Sequence, residues 1–290
     1  MRKFFYLFAI AAVMLGMASC GDGNNPDQPE QLTPGALKGK FSVAPGKQVR
    51  FSQSNLQYHD EAAAHNDYFA FAELQYTIIG KEGNEGTDKV PCTLDLFGWG
   101  TDNSPRKTST DNGDYATFTD WGNNPIRNGG NEANLWRTLT KDEWVYLFYV
   151  RTNAEKLFGL GSVNGVNGTI ILPDDWVKPS EVSFTPSTTK GLAYQGKYYY
   201  NSNGNNFSHN TYTAEQWAVM EKAGAVFLPA AGRRSGTDVL SVGSYGGYWS
   251  DTPSGTKYAY HLYFDSGYLN PQIYNNRYRG QSVRLVQDIN

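Results

Sequence analysis

The last sixth of the chain, Gly243–Asn290, reads GSYGGYWSDTPSGTKYAYHLYFDSGYLNPQIYNNRYRGQSVRLVQDIN. Eight of the chain's 20 tyrosines fall in the 39 residues from Ser244 to Ser282, with one lysine (Lys257) and no glutamate. Asn, Ser, Gly, Asp, His and Arg surround them. Tyrosine offers large, rigid, amphipathic contact area at low entropy cost, and Ser, Gly and Asn offer adaptable hydrogen bonding, so the composition suits a binding surface. The same composition also suits an aromatic-rich antiparallel sheet with tyrosine on both faces. Strand alternation in Tyr258–Asp265 puts Leu262 and Phe264 on one face and His261, Tyr263 and Asp265 on the other. The first pair is plain core. The second set shares no chemistry, and it is expected to be exposed, on one continuous patch with Tyr245, Tyr258, Tyr268, Tyr274 and Tyr278.

Working outward, the window divides into a frame and its interruptions. The interruptions are Tyr245, Gly247, Asp251, Lys257, Tyr258, His261, Tyr263, Asp265, Tyr268, Asn270, Gln272, Tyr274, Asn275, Asn276 and Tyr278. With Arg279 on the rim they are the candidate ligand-binding residues. The frame is YWS-x-TP, then A-x-x-L-x-F-x-SG-x-x-x-P, then R-x-x-GQSVRLV. It resembles the C-terminal variable region of bacterial lipoproteins diversified by retroelements, and the resemblance extends over roughly Lys40 to Gln287. It implies an α+β, C-type lectin-like fold of the branch shared with formylglycine-generating enzymes: two main helices, many short antiparallel strands and long loops. It also implies ligand binding through the interrupting positions.

Two helices have start signals. Thr140 followed by Glu143 is a capping box opening onto Trp144, Leu147, Phe148 and Arg151 at helical spacing, within Leu135–Arg151. Its sequence, WRTLTKDEWVYL, is similar to the R-L-P-T-E-A-E-W-E-Y segment of the formylglycine-generating-enzyme family. Thr213 and Gln216 form a second box, with Trp217, Met220 and Ala223 as the buried stripe and Gly224 as the stop. Phe41–Arg50 and Phe51–Tyr58 predict strands around Pro45-Gly46, and Phe69–Ile79 continues in that style. Lys81–Lys89, Thr101–Gly130 and Ser187–Asn210 predict loops, Gly232–Gly236 a turn, and Ala225–Pro229 a short buried strand. Leu160–Gly168 has glycines near nucleotide-loop spacing, but no lysine and no helix follows, so a strand leaving a turn is the better reading.

The other end of the chain is a targeting segment. Arg2 and Lys3 precede an apolar run, Phe4–Met17, too short for a typical spanning helix. Met17-Ala18-Ser19-Cys20 resembles a lipobox, which predicts a lipidated Cys20 after a signal peptide of residues 1–20; the alternative is an ordinary signal peptide that contains a cysteine. Residues 21–36 carry Pro26, Pro29 and Pro34 and no base, and predict a flexible tether spanning at most roughly 50 Å. Residues 37–290 then form one domain, with the variable region at 243–287.

The whole chain has 25 basic and 28 acidic residues, net −3; without Arg2 and Lys3 the balance is 23 to 28, net −5. No basic run occurs, which argues against a nucleic-acid partner. After lipidation Cys92 is the only thiol, so no intramolecular disulfide is expected. His59, His65, His209 and His261 lack metal-like spacing, and no nucleophile elbow is present. No cofactor and no catalytic metal are expected, although the Asp/Asn-rich loops offer oxygen ligands for a structural calcium. The expectation is a non-catalytic protein, lipid-anchored at the bacterial outer membrane and displayed on the cell surface, that binds a protein or glycan. An enzyme of the formylglycine-generating type with altered chemistry is one alternative; the lack of any cysteine after Cys92 argues against it. A structural cell-envelope protein is another.

Overall fold

The computed structural model describes residues 31–60, 68–85, 92–101, 103–187, 199–200 and 206–289. The signal peptide, Cys20, most of the tether, His65 and part of the Ser187–Asn210 loop lie outside them. The strands are β1 (Phe41–Ala44), β2 (Lys47–Phe51), β3 (Leu56–Asp60), β4 (Tyr68–Phe71), β5 (Cys92–Leu94), β6 (Phe158–Val163), β7 (Val166–Ile171), β8 (Tyr199–Tyr200), β9 (Thr211–Tyr212), β10 (Val226–Pro229), β11 (Arg233–Ser235), β12 (Asp238–Leu240), β13 (Gly246–Ser254), β14 (Tyr258–Phe264), β15 (Tyr268–Asn276) and β16 (Val286–Asp288). Among the described residues three short α-helices interrupt them: α1 (Gly80–Glu85), α2 (Lys141–Val145) and α3 (Ala214–Lys222).

The described residues are therefore mainly β, with 36% strand and 15% helix, and the expected α+β, C-type lectin-like fold is not what forms. The helical signals are real but short. Thr140 and Glu143 make both hydrogen bonds of the capping box, and so do Thr213 and Gln216. The first helix nevertheless lasts five residues and one π turn, Tyr146–Val150, before Arg151 turns extended. Upstream of it, Arg137 exchanges two 2.9 Å backbone hydrogen bonds with Val286, so Leu135–Thr140 is drawn towards strand pairing instead of helix. The strand predicted over Phe69–Ile79 stops at Phe71, and α1, Gly80–Glu85, overlaps the start of the loop predicted over Lys81–Lys89.

The hairpins follow turn chemistry. Gly46 takes φ +71 between β1 and β2, and Asn164-Gly165 takes φ +48 and +81 between β6 and β7. Positive φ at both central residues is what a tight two-residue hairpin needs, and Asn-Gly supplies it cheaply. Arg233–Ser235, expected as a turn, is a strand paired with β12.

Two apolar cores flank the sheet that carries the C-terminal window. The first holds Phe41, Phe51, Trp144, Phe148, Tyr248, Leu262 and Phe264. The second holds Phe69, Phe97, Trp99, Trp121, Trp249, Ala259 and Val283. The sheet β13-β14-β15-β8 lies between them: Tyr248 pairs with Leu262 facing the first, and Trp249 pairs with His261 facing the second.

Candidate functional site

The site grows from β14. Leu262 and Phe264 are fully buried, as alternation predicts. The opposite face is not uniformly exposed. His261 is only 2% exposed, because that face is covered by the second core at its level. Its ring meets Trp249 edge-on at 5.7 Å, and its Nε2 lies 3.2 Å from the Tyr245 hydroxyl. Tyr245 gives its one hydroxyl proton to Gln281 Oε1 at 3.0 Å, so the imidazole is the donor to the phenolic oxygen. Burial holds the His261 pKa down at about 3, so the ring is neutral. His261 is a buried support for the surface and not an exposed contact.

Beyond it the same face opens. The Tyr245 ring lies 4.9 Å from that of Tyr263, and the Tyr263 ring 5.4 Å from that of Tyr268. Tyr263 and Tyr268 are half-buried and Tyr245 is buried. The Tyr263 hydroxyl donates to Asp265 Oδ2 at 2.6 Å, and the Gly267 N–H donates to Oδ1 at 2.9 Å. Asn270, buried beside them, donates to the Tyr268 hydroxyl at 3.0 Å and accepts from the Gln272 N–H at 2.9 Å. Burial raises the Tyr263 pKa, and the neighbouring Asp265 raises it further. Gly247 makes the arrangement possible. A Cβ there would fall 1.9 Å from Gln281 Oε1 and 2.7 Å from Tyr245 Cε1. Its part is to leave room, and its burial keeps it from a ligand.

Two arginines flank this row. Arg234 and Gly280 exchange backbone hydrogen bonds of 2.8 and 2.9 Å. Alternation about that bridge puts Arg233, Arg279 and Gln281 on one side and Arg234 on the other. Arg234 is buried and donates to the carbonyls of Leu96, Lys107 and Gly236. The Arg233 guanidinium instead sits 5.3 Å over the Tyr245 ring, and that of Arg279 lies 5.1 Å over Tyr278. Burial pushes the Tyr245 hydroxyl up to about 12, against the pull of Arg233, Asn275 and Arg279 nearby.

The remaining candidates lie elsewhere. Tyr258 (38% exposed) and Tyr274 (56% exposed) meet at 5.4 Å, and Tyr274 also meets Tyr260 at 6.2 Å. Lys141 of α2 lies 5.3 Å over Tyr260. Asn276 accepts from Asn112 at 2.8 Å, and Lys257 lines an open cleft of about 580 Å³ with Asp111, Asn112 and Gly113. Asp251 sits apart near α2, its N–H on the Leu139 carbonyl at 3.1 Å. The single continuous patch expected from sequence is thus two clusters, on opposite faces of the sheet. A β-bulge helps separate them. His261 pairs with Ile273 and Tyr263 with Asn270, so β15 carries one residue more than β14 across this step. The extra residue turns Tyr274 and Asn276 to the face of Tyr258 and Tyr260, away from Tyr268.

Sequence reasoning missed Arg233, Gln281 and Tyr260. Arg233 and Arg234 are adjacent, and adjacent strand residues point to opposite faces; that was the available signal. Among the described residues, no three His, Cys, Asp or Glu side chains converge as metal ligands.

A family model described as "Domain of unknown function (DUF8237)" matches residues 203–286, which include α3 and β10 to β15. No curated protein and no solved structure matches the chain.

Proposed function

We propose that this protein is a lipid-anchored, surface-displayed binding protein that takes a saccharide on the β14 face carrying Tyr245, Tyr263 and Tyr268. One observation carries the reading: three tyrosine rings in contact, edged by the Asp265 carboxylate and the Asn270 amide. Rings give flat apolar area, and amides, carboxylates and phenols give directional hydrogen bonds. Together they suit a ligand that presents C–H faces and hydroxyl groups side by side. The rings are also preorganised. Tyr245 is fixed through Gln281 and His261, and Tyr263 through Asp265, so little side-chain entropy remains to be lost on binding.

Binding is favoured over catalysis because the one imidazole near the face is neutral, buried and engaged by Tyr245. Anchoring at the outer membrane rests on the lipobox-like series ending in Cys20 and the proline-rich stretch after it. The frame's similarity to diversified lipoproteins supports the placing of ligand contacts in this window.

The test is a saccharide array probed with the fluorescently labelled full chain. Retention on a subset of glycans, lost in Tyr263→Ala, is the expected result. Retention on none would overturn the saccharide reading.

A further inference from the structure

We infer that Arg233 and Arg279 form a subsite for the anionic group of an acidic saccharide. The inference rests on the saccharide reading above and adds the charge of the ligand. Its first support is placement. The Arg234–Gly280 bridge puts both side chains on one side, with Gln281, whose Oε1 holds Tyr245. Both guanidinia therefore flank the aromatic row without forming part of it.

The second support is that neither has a carboxylate partner among the described residues. Most other arginines are paired, although Arg127, over the Tyr68 ring, also lacks a carboxylate among the described residues. Arg106, Arg137 and Arg151 each meet a carboxylate, on Asp60, Glu143 and Asp174 respectively. Arg234 and Arg277 are taken up by backbone carbonyls. Arg233 engages Tyr245, by its ring and by a side-chain hydrogen bond, Arg279 lies over the Tyr278 ring, and the Nε of each is shielded from solvent without a hydrogen-bond partner. Asp265, the acid beside the row, is already held by the Tyr263 hydroxyl and the Gly267 N–H.

The third support is Gln281. It is fully buried, its Oε1 accepts from Tyr245, and its Nε2 has no partner. Being fully buried, it braces Tyr245 and does not itself meet ligand, and the two half-buried cations beside it, without a carboxylate, favour an oxygen anion. A guanidinium matches a carboxylate bidentately. A uronic acid would satisfy the arginines through its carboxylate and the tyrosine row through its ring.

The experiment follows the arginine Nε–Hε resonances of the ¹⁵N-labelled full chain during titration with glucuronate, glucose or sodium sulfate. Arg233→Lys and Arg279→Lys assign the two signals. Glucuronate should shift both, glucose should shift neither, and sulfate should act only at concentrations at least tenfold higher. Arg233→Gln or Arg279→Gln should weaken glucuronate at least tenfold in calorimetry, with the Tyr263 and Tyr268 ring signals of the free protein unchanged. Unmoved arginine signals with glucuronate overturn the inference, as does sulfate binding as tightly as glucuronate. Neutral and acidic glycans retained equally on an array would overturn it while leaving the saccharide reading standing. No glycan retained at all is instead the failure of that reading.

Discussion

Phe264 and Gly246 give a sharp test of the face assignment on which the site depends. They are register partners across β13 and β14, and Phe264 is fully buried with its ring 6.2 Å from that of Tyr248 at 16°. A Cβ at Gly246 would fall 2.0–2.4 Å from three atoms of the Phe264 ring. Gly246 does not take a positive φ, so a methyl there is opposed by collision alone. Phe264→Ala should cost about 3–5 kcal/mol, the transfer loss plus the cavity left behind. Gly246→Ala should cost about 1–3 kcal/mol, because the ring must leave its place. In the double variant the methyl enters space the ring has vacated, where burying it is worth up to ~0.8 kcal/mol. The two costs should then fall short of additivity by about 1–3 kcal/mol. Urea unfolding of the four proteins measures this through midpoints at constant m. Additivity within about 0.5 kcal/mol, or a Phe264→Ala cost below about 1 kcal/mol, would refute the assignment of Phe264 to the inner face.

Other consequences can be checked independently. The neutral, buried His261 has its pKa depressed by burial to about 3, so the unfolded chain gains a proton that the folded chain refuses, and stability falls as pH drops through ~6.5. At pH 5 that loss is ~2 kcal/mol, so the stability deficit of His261→Asn at pH 7 should shrink by about that much at pH 5; an unchanged deficit would contradict it. Asp95 acts in the opposite sense, its pKa raised by burial to about 6, so stability rises as pH falls from 6 towards 4, by up to ~3 kcal/mol. The larger displacement at His261 should make acid destabilising on balance for this pair. Thr140→Ala and Thr213→Ala should each lose about 1 kcal/mol in urea unfolding, since each hydroxyl accepts the first-turn N–H of its capping box. Cys20→Ala should lose both palmitate labelling and membrane fractionation, and retained labelling would remove the lipid anchor from the account.

Several elements were legible from residue order because their causes are local. Both capping boxes, the Pro45-Gly46 hairpin, the buried Ala225–Pro229 strand and the inward pointing of Leu262 and Phe264 follow from neighbours a few residues apart. The fold class was not legible, because helix starts were visible and helix lengths were not. Arg137 pairs with Val286, 149 positions along, which keeps the residues before Thr140 out of the helix, and at the other end a π turn at Tyr146–Val150 gives way to an extended Arg151. The burial of His261 was hidden for a related reason. Alternation says which residues share a face, and the Trp249 that covers this one arrives through strand pairing. The division of the tyrosines was half visible: Tyr258 and Tyr263 are an odd number of residues apart and cannot share a strand face. Tyr268 and Tyr274 are six apart and would share one but for the bulge opposite Leu262, which no local pattern announces. Arg233 and Gln281 reach the site through the Arg234–Gly280 bridge, a contact between distant segments.

The central claim is that ligand meets the Tyr263 face and not the Tyr274 face. Calorimetric affinity of Tyr263→Ala and Tyr274→Ala for a glycan retained by the wild-type chain tests it directly. Losing the Tyr263 ring removes about 50 Å² of apolar contact and an aromatic term, together about 2 kcal/mol or roughly thirtyfold in affinity. Tyr274 is on the opposite face, so its replacement should leave affinity within about twofold. Equal losses, or a loss confined to Tyr274→Ala, would contradict the account.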